Sequence, residues 1–174
     1  AHELTKCCAS DSMERFAVAV AGAQVDLNPH QVDAALFAFK SPFSKGALLA
    51  DEVGLGKTIE AGLILSQCWA ERKRQILIIT PSNLRKQWLQ ELSEKFFLPS
   101  IIIESKNYNA LLKSGMTRPF EQQGALVICS LHFAKNKADD IRAIPWDLVV
   151  IDEAHRLRNV YKPANVIANT IKKA

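Results

Sequence analysis

The chain has 174 residues, of which 48% are hydrophobic and 23% charged, a composition typical of a globular protein. Apolar runs such as Ile76–Ile79 are far shorter than the roughly 20 residues that cross a bilayer, so we expect no membrane span. The net charge of +4 permits a polyanionic partner without requiring one. The four cysteines form no CxxC pair, which argues against a zinc site and favours free thiols in a reducing cytoplasm, with Cys68 and Cys129 in the core.

The chain is predicted to open with a polar extension, followed by a helix. Residues 1–24 are predicted to be an N-terminal extension, partly helical or flexible, ahead of one domain at 25–174. Asn28 is a capping residue and Pro29 suits a first helical position, so a helix is predicted to begin there. Its buried side carries Val32, Ala35, Leu36 and Phe39. Gln31 falls in the first turn, where a polar side chain is usually solvated; contact with a ligand is the alternative.

The stretch from Leu48 to Thr58 changes character twice. It begins as a short apolar run, predicted to be a buried strand, then passes through two glycines and continues with helical spacing. Glycines let backbone N–H groups turn inward around an anion, and the helix N-terminus adds partial positive charge. Lys57 supplies a full charge and Thr58 a hydroxyl suited to Mg²⁺. The residues predicted to hold a nucleotide's phosphates are Asp51, Glu52, Val53, Gly54, Leu55, Gly56, Lys57 and Thr58.

One position departs from the general phosphate-loop pattern GxxxxGK[ST]. That pattern has a glycine where this chain has Asp51. A glycine-containing turn between a core strand and a helix, with Lys57 merely exposed, is therefore the alternative.

Later apolar runs predict a parallel sheet. The predicted strands are Gln75–Thr80, Ser100–Glu104, Ala125–Cys129 and Trp146–Ile151. Their lack of alternation fits strands covered on both faces. The predicted helices between them are one capped by Ser82 and running to Phe96, a short one within Lys106–Gln123, and one from Leu131 to Ile144. Trp88 is expected in the core. Strands that alternate with helices predict an α/β fold with helices on both faces of the sheet.

Two carboxylates follow the last predicted strand directly. Asp152 and Glu153 come at its carboxyl end, on the rim where open α/β sheets bind ligands. Hydrolysis of a nucleotide needs Mg²⁺ to clamp the phosphates and a second group to orient the attacking water. We therefore predict that Asp152 holds the metal, opposite Thr58, and that Glu153 acts on the water. A solvated acidic turn is the alternative.

The loop and the acidic segment together resemble a known family. The runs Ala50–Thr58 and Ile151–Asn159 look like the Swi/Snf-type ATPases of helicase superfamily 2, which carry aspartate where this chain has Asp51. Val53 and the run Ile59–Leu63 are most similar to the bacterial, RapA-like branch. The resemblance covers roughly residues 25–165. It implies a RecA-like P-loop NTPase lobe that binds ATP, Mg²⁺ and the DNA backbone.

The resemblance also implies roles for single residues. Gln31 would contact the adenine base. The helix start after Thr80 would face the DNA backbone, where hydroxyl and N–H groups are natural partners of phosphate. The implied nucleic-acid contacts are Ser82, Arg85, Lys86 and, as a weaker candidate, Ser130. His155 would connect the nucleotide to the DNA side, and a solvated structural histidine is the alternative.

The chain lacks later motifs of the family. Nothing after His155 matches the family's next motif, a Ser/Thr-Ala/Gly-Thr segment, or the second RecA-like lobe with its arginine finger. We therefore expect a lobe that is incomplete at its C-terminus and nearly inactive alone as an ATPase, since an arginine finger contributes about 10³ to 10⁵ in rate. The implied partners are double-stranded DNA, with RNA as the alternative, and the second lobe of the parent chain. The implied location is the cytoplasm, in association with the bacterial nucleoid.

Two other functions compete with a DNA-dependent ATPase. One is a phosphate-loop enzyme acting on a small molecule, which would not need the segment Asp152–His155. The other is a non-catalytic module that docks a nucleotide or DNA, and nucleotide binding by the chain tests it.

Overall fold

The structure is a computed structural model that describes residues 28–40, 47–49 and 56–157. These residues divide into two compact units. The first holds those up to Arg72 together with Glu94–Phe97, and the second holds Lys73–Ser93 and those from Leu98 onward. The predicted extension at 1–24 and the loop residues Asp51–Leu55 lie outside the described residues.

In the described part of the first unit, helix α1 (Pro29–Lys40) contacts helix α2 (Lys57–Ala70). The start of α1 at Pro29 confirms the prediction. Gln31 stabilises this N-terminus, because its side-chain Oε1 accepts a hydrogen bond from the backbone N–H of Asn28 at 3.1 Å. On α2, a Cβ atom at Gly62 would run into the ring of Phe96, so only glycine fits there without a shift.

The strand predicted from Leu48 is wrong over the residues that the structure describes. Residues 47–49 have no strand conformation, and Leu48 is 78% exposed. A strand is stable only with a hydrogen-bonding neighbour, and the sheet of the described ranges pairs four later strands with one another. An apolar run alone therefore did not suffice to predict a strand here.

The second unit is organised by a parallel sheet with the strand order β2-β3-β1-β4. Its strands are β1 (Ile76–Thr80), β2 (Ser100–Ile102), β3 (Leu126–Ser130) and β4 (Leu148–Ile151). The central strands β1 and β3 are buried along their whole length. Continuous apolar runs predict this burial because both faces of a parallel sheet are covered. The predicted α/β class with a parallel sheet is confirmed.

Helices connect these strands. They are α3 (Arg85–Phe96), whose last residues belong to the first unit, α4 (Ser105–Lys113), α5 (Leu131–Asn136) and α6 (Ala138–Arg142), and a 3₁₀ helix (Ala154–Leu157) follows β4. One face of the sheet packs on an aromatic cluster of Tyr108, Phe120 and Phe133, with ring centroids 5.7 to 5.9 Å apart. Cys129 is buried in this core and Cys68 is buried on α2, and both are free thiols, as predicted.

Two predicted boundaries are wrong for local reasons. The strand predicted to end at Glu104 ends at Ile102, because Glu104 and Asn107 form a capping box at the start of α4. The single helix predicted from Leu131 to Ile144 breaks at Lys137, where φ is −122°. A second helix restarts there with two aspartates in its first turn, which favour a helix N-terminus.

Among the described residues, no helix has the length and apolar character to span a membrane.

Candidate functional site

The described end of the predicted phosphate loop is Gly56, which leads into α2. Gly56 has a φ of 89°, a left-handed conformation that favours glycine. Its carbonyl accepts a hydrogen bond from the N–H of Ile59 at 2.7 Å, so the helix begins directly with the half-exposed Lys57 and Thr58. Gln31 is only 3% exposed, and its Nε2 lies where a Cβ of residue 56 would be. The first unit thus brings Gln31 to the end of the loop.

Asp152 lies at the carboxyl end of the sheet, where the sequence places it. Its N–H donates to the carbonyl of Ile79 at 2.8 Å and so continues the pairing of β4 with β1. Its Oδ2 accepts two hydrogen bonds, one from the hydroxyl of Thr80 at 2.9 Å and one from the indole N–H of Trp88 at 2.9 Å. Thr80 is 0% and Trp88 5% exposed. Two uncharged donors, one on β1 and one on α3, therefore hold one oxygen of the carboxylate from the interior.

Glu153 has very different surroundings from its neighbour Asp152. It is exposed, and its φ of 54° lies in the left-handed region, which is uncommon for a residue other than glycine. Its Oε2 lies 2.8 Å from Nδ1 of His155. Backbone conformations of this kind cost free energy and cluster at functional sites. The two adjacent carboxylates are thus held separately, one by buried donors and one by an exposed histidine.

The three main residues predicted to contact nucleic acid meet at one cavity. Ser82, Arg85 and Lys86 line a cavity of about 330 Å³. Its other lining residues are Asn83, Ile102, Glu104 and Asn107. The guanidinium of Arg85 donates to Glu104 Oε2 at 2.9 Å and to the carbonyl of Ser82 at 3.1 Å. One cation of the cavity is therefore already paired with a carboxylate, while the side chain of Lys86 is exposed.

The predicted helix cap at Ser82 is wrong. Helix α3 begins at Arg85, three residues later, because the carbonyl of Pro81 accepts a hydrogen bond from Leu84 and forms a tight turn. Ser82 lies exposed in that turn. Ser130 does cap a helix: its Oγ accepts the N–H of Phe133 at 3.1 Å at the start of α5. Contact of Ser130 with nucleic acid stays a prediction, and this local role comes in addition.

Three residues around the site were missed as functional candidates. Thr80 and Trp88 hold Asp152, and Glu104 pairs with Arg85. Only Thr80 has a signal in the sequence, since a hydroxyl at the end of an otherwise apolar strand lies on the rim. Trp88 was predicted to be buried, which is confirmed, but its partner could not be predicted.

The donor atoms of the site are those that Mg²⁺ prefers, namely oxygens of a carboxylate and a hydroxyl. Among the described residues, no group of three or more histidine, cysteine, aspartate or glutamate side chains could hold a metal ion. The carboxylate of Asp152 in the second unit and the hydroxyl of Thr58 in the first unit are each oxygens of this kind.

Comparisons with known proteins agree on one family. The family model of the SNF2-related domain matches residues 30–173. The RNA polymerase-associated protein RapA of Yersinia enterocolitica is 43% identical over 141 residues, and that of Serratia proteamaculans is 40% identical over 140 residues. Each match covers 78% of this chain and 14% of the relative, so the chain spans about a seventh of the length of these proteins.

A solved structure shows the same fold. The SWI2/SNF2 ATPase core of Sulfolobus solfataricus, solved in complex with double-stranded DNA, matches 87% of this chain with a TM-score of 0.71 and 21% sequence identity. The match covers 30% of that protein. The family resemblance of the loop and the acidic segment is thereby confirmed. The chain belongs to the Swi/Snf-type ATPases of helicase superfamily 2, as an SNF2-related domain.

Proposed function

We propose that this chain is the nucleotide-binding lobe of a Swi/Snf-type ATPase, which binds Mg-ATP and the backbone of double-stranded DNA. The observation that carries the proposal is the pair of buried donors, Thr80 and Trp88, which hold Asp152 at the carboxyl end of the sheet. A strand that merely turned into solvent would need no such support. Orientation of a carboxylate by surrounding hydrogen bonds is typical of metal-binding sites.

Each residue of the nucleotide site has one proposed task. Lys57 offsets the charge of the phosphates, and Thr58 and Asp152 hold Mg²⁺. When bound, Mg²⁺ neutralises negative charge that develops on the phosphates. Glu153 orients the attacking water and accepts its proton. Nδ1 of His155 lies 2.8 Å from Oε2 of Glu153, and we assign Oε1 to the water.

The cavity beside α3 is the proposed contact with nucleic acid. Arg85 and Lys86 line it together with Ser82, and such groups bind phosphates without reading bases. The Sulfolobus protein with the same fold was solved with double-stranded DNA, which favours DNA over RNA as the partner. The relatives are bacterial proteins named for association with RNA polymerase, which supports a location in the cytoplasm with the nucleoid.

Nucleotide binding is tested by calorimetric titration of the chain with ADP and Mg²⁺. Lys57→Ala should bind roughly 10- to 100-fold more weakly, because it removes a charge-assisted contact to the phosphates. Lys113→Ala, at the exposed end of α4, is the matched control and should bind like the unchanged chain. Equal affinity of the Lys57 variant and the control would refute the nucleotide site.

DNA binding is tested by the salt dependence of affinity for a duplex of arbitrary sequence. Affinity should fall steeply with salt, because binding releases counterions from the phosphates. Lys86→Ala should lower affinity for all sequences and reduce the salt slope by about 1, whereas Lys113→Ala should leave both unchanged. A parallel titration with duplex RNA decides the partner, and tighter binding of RNA would overturn the proposal of DNA.

A further inference from the structure

Trp88 has a hydrogen-bond partner that is unusual for a tryptophan of the core. Its ring is 5% exposed, which packing explains, but its Nε1–H donates to the side-chain carboxylate of Asp152. Trp146 shows the common alternative in the same unit, since its Nε1–H donates to the backbone carbonyl of Ile141, also at 2.9 Å. One indole N–H thus donates to a backbone carbonyl, and the other donates to the side-chain carboxylate of Asp152.

The geometry at Asp152 favours one orientation of its carboxylate. Both side-chain donors, Thr80 and Trp88, bind the same atom, Oδ2. Neither bond uses Oδ1, and Asp152 is only partly buried. Two donors from different elements, β1 and α3, prevent the carboxylate from rotating freely. Oδ1 is then the oxygen left to meet a ligand.

We propose that Trp88 is a positioning residue, which together with Thr80 turns Oδ1 of Asp152 toward the Mg²⁺ of a bound nucleotide. This inference rests on the proposed function, because it assumes that Asp152 is a metal ligand. It adds a specific task for the indole N–H, beyond the apolar packing of the ring. Hydrogen-bond partners of metal ligands commonly change metal affinity by 10- to 100-fold when they are removed.

The position of Trp88 on α3 gives this task a further consequence. Arg85, which lines the cavity proposed for the DNA backbone, lies three residues earlier on the same helix. Residues three apart lie on the same side of a helix, one turn from each other. Through Trp88, one hydrogen bond thus joins the first turn of α3, which lines the cavity, to Asp152.

Replacement by phenylalanine separates the N–H from the ring. Trp88→Phe keeps an aromatic side chain in the core and removes only the donor and part of the ring volume. Trp146→Phe is the matched control, because it makes the same change to a bond of the same length elsewhere in the second unit. Thr80→Val removes the other donor to Oδ2 with almost no change of shape.

The first measurement is calorimetric binding of ADP over a series of Mg²⁺ concentrations, with a metal-free series in chelator. We expect Trp88→Phe and Thr80→Val to need about ten-fold more Mg²⁺ for the same ADP affinity, with metal-free ADP binding unchanged. Trp146→Phe should match the unchanged chain in both series. If Trp88→Phe and Trp146→Phe show the same Mg²⁺ dependence, the inference is wrong. If the unchanged chain binds no ADP with Mg²⁺, the proposed function itself fails, and the two failures are thereby distinguished.

The second measurement needs no substitution at Trp88 and covers the case in which that variant does not fold. The chain has three tryptophans, whose indole N–H resonances can be assigned with Trp69→Phe and Trp146→Phe. Addition of Mg²⁺ to the chain saturated with metal-free ADP should move the resonance of Trp88 and leave that of Trp146 in place. A Trp88 resonance that does not respond to Mg²⁺ would contradict the inference.

Discussion

Two regions of the second unit use polar groups in opposite ways. The aromatic cluster of Tyr108, Phe120 and Phe133 is buried, and its rings pack edge to face or tilted. The rim at the carboxyl end of the sheet instead holds adjacent carboxylates, Asp152 and Glu153, the second of them exposed and in a left-handed conformation. The first arrangement stabilises the fold, and the second keeps charged groups available at some cost in stability.

The cluster has one polar group, and it is satisfied at the surface. The hydroxyl of Tyr108 donates to Oδ2 of Asp140 at 2.7 Å, and Nζ of Lys137 lies 4.2 Å from the centre of the tyrosine ring. Burial, and next the hydrogen bond and negative charge of Asp140, raises the pKa of Tyr108 to about 12. Substitutions in the cluster should therefore change mainly stability, whereas those at the rim should change mainly ligand binding.

The largest effect on stability is expected for Phe120→Ala. Phe120 is 1% exposed, and truncation of a buried phenylalanine to alanine typically costs about 3 to 5 kcal/mol in unfolding free energy. Leu112→Ala is the control, because Leu112 is 43% exposed and surface substitutions usually stay within about 0.5 kcal/mol. Urea unfolding measures both. A loss at Phe120 no greater than that at Leu112 would contradict the assignment of the cluster to stability.

A smaller effect is expected for Tyr108→Phe, which removes the hydrogen bond to Asp140 and keeps the ring. The acceptor is charged but partly exposed, so we expect a loss of about 1.5 kcal/mol at neutral pH. The affinity for ADP with Mg²⁺ should not change, because the cluster is assigned to stability. Urea unfolding and calorimetry test the two statements together, and a loss of ADP affinity without a loss of stability would contradict them.

Tyr108 should also make the free energy of unfolding depend on pH in the alkaline range. The folded pKa of Tyr108 is raised from its ordinary 10.0 to about 12, so the folded state holds the proton more tightly than the unfolded state. Stability should therefore be lost as pH rises from about 10 toward 12, and Tyr108→Phe should lose less over this range. Burial also raises the pKa of Cys129 to about 12, but Cys129 is present in both proteins, so their difference isolates Tyr108. Identical alkaline unfolding of the two proteins would show that Tyr108 does not contribute.

The smallest effect concerns the strained backbone of the rim. Glu153→Gly should be about 1 kcal/mol more stable than Glu153→Ala, because both lose the carboxylate but only glycine adopts the left-handed φ without strain. Thermal unfolding compares the two variants. If alanine is as stable as glycine at this position, the rim stores no strain at Glu153.

The central part of the fold was predictable because its signals are local. The apolar runs of β1 and β3 are continuous, and such runs are typical of strands buried on both faces of a parallel sheet. The glycine before Lys57 and the carboxylate after β4 were predictable for the same reason, since each follows from a few adjacent residues. The short run at Leu48 had a similar signal and formed no strand in the described part of the chain, because no neighbouring strand pairs with it.

The class of the fold, the family and the position of Asp152 and Glu153 at the end of a strand follow from local patterns of residues. The groups that hold these carboxylates depend on contacts between distant parts of the chain. Thr80 and Trp88 are 72 and 64 residues away from Asp152 along the chain, and Glu104 is 19 residues away from Arg85. Such pairs depend on the register of β1 against β4 and on where α3 begins after the turn at Pro81. Hydrogen bonds need an approach within a few tenths of an ångström, and no local pattern of residues specifies distances across the chain to that accuracy.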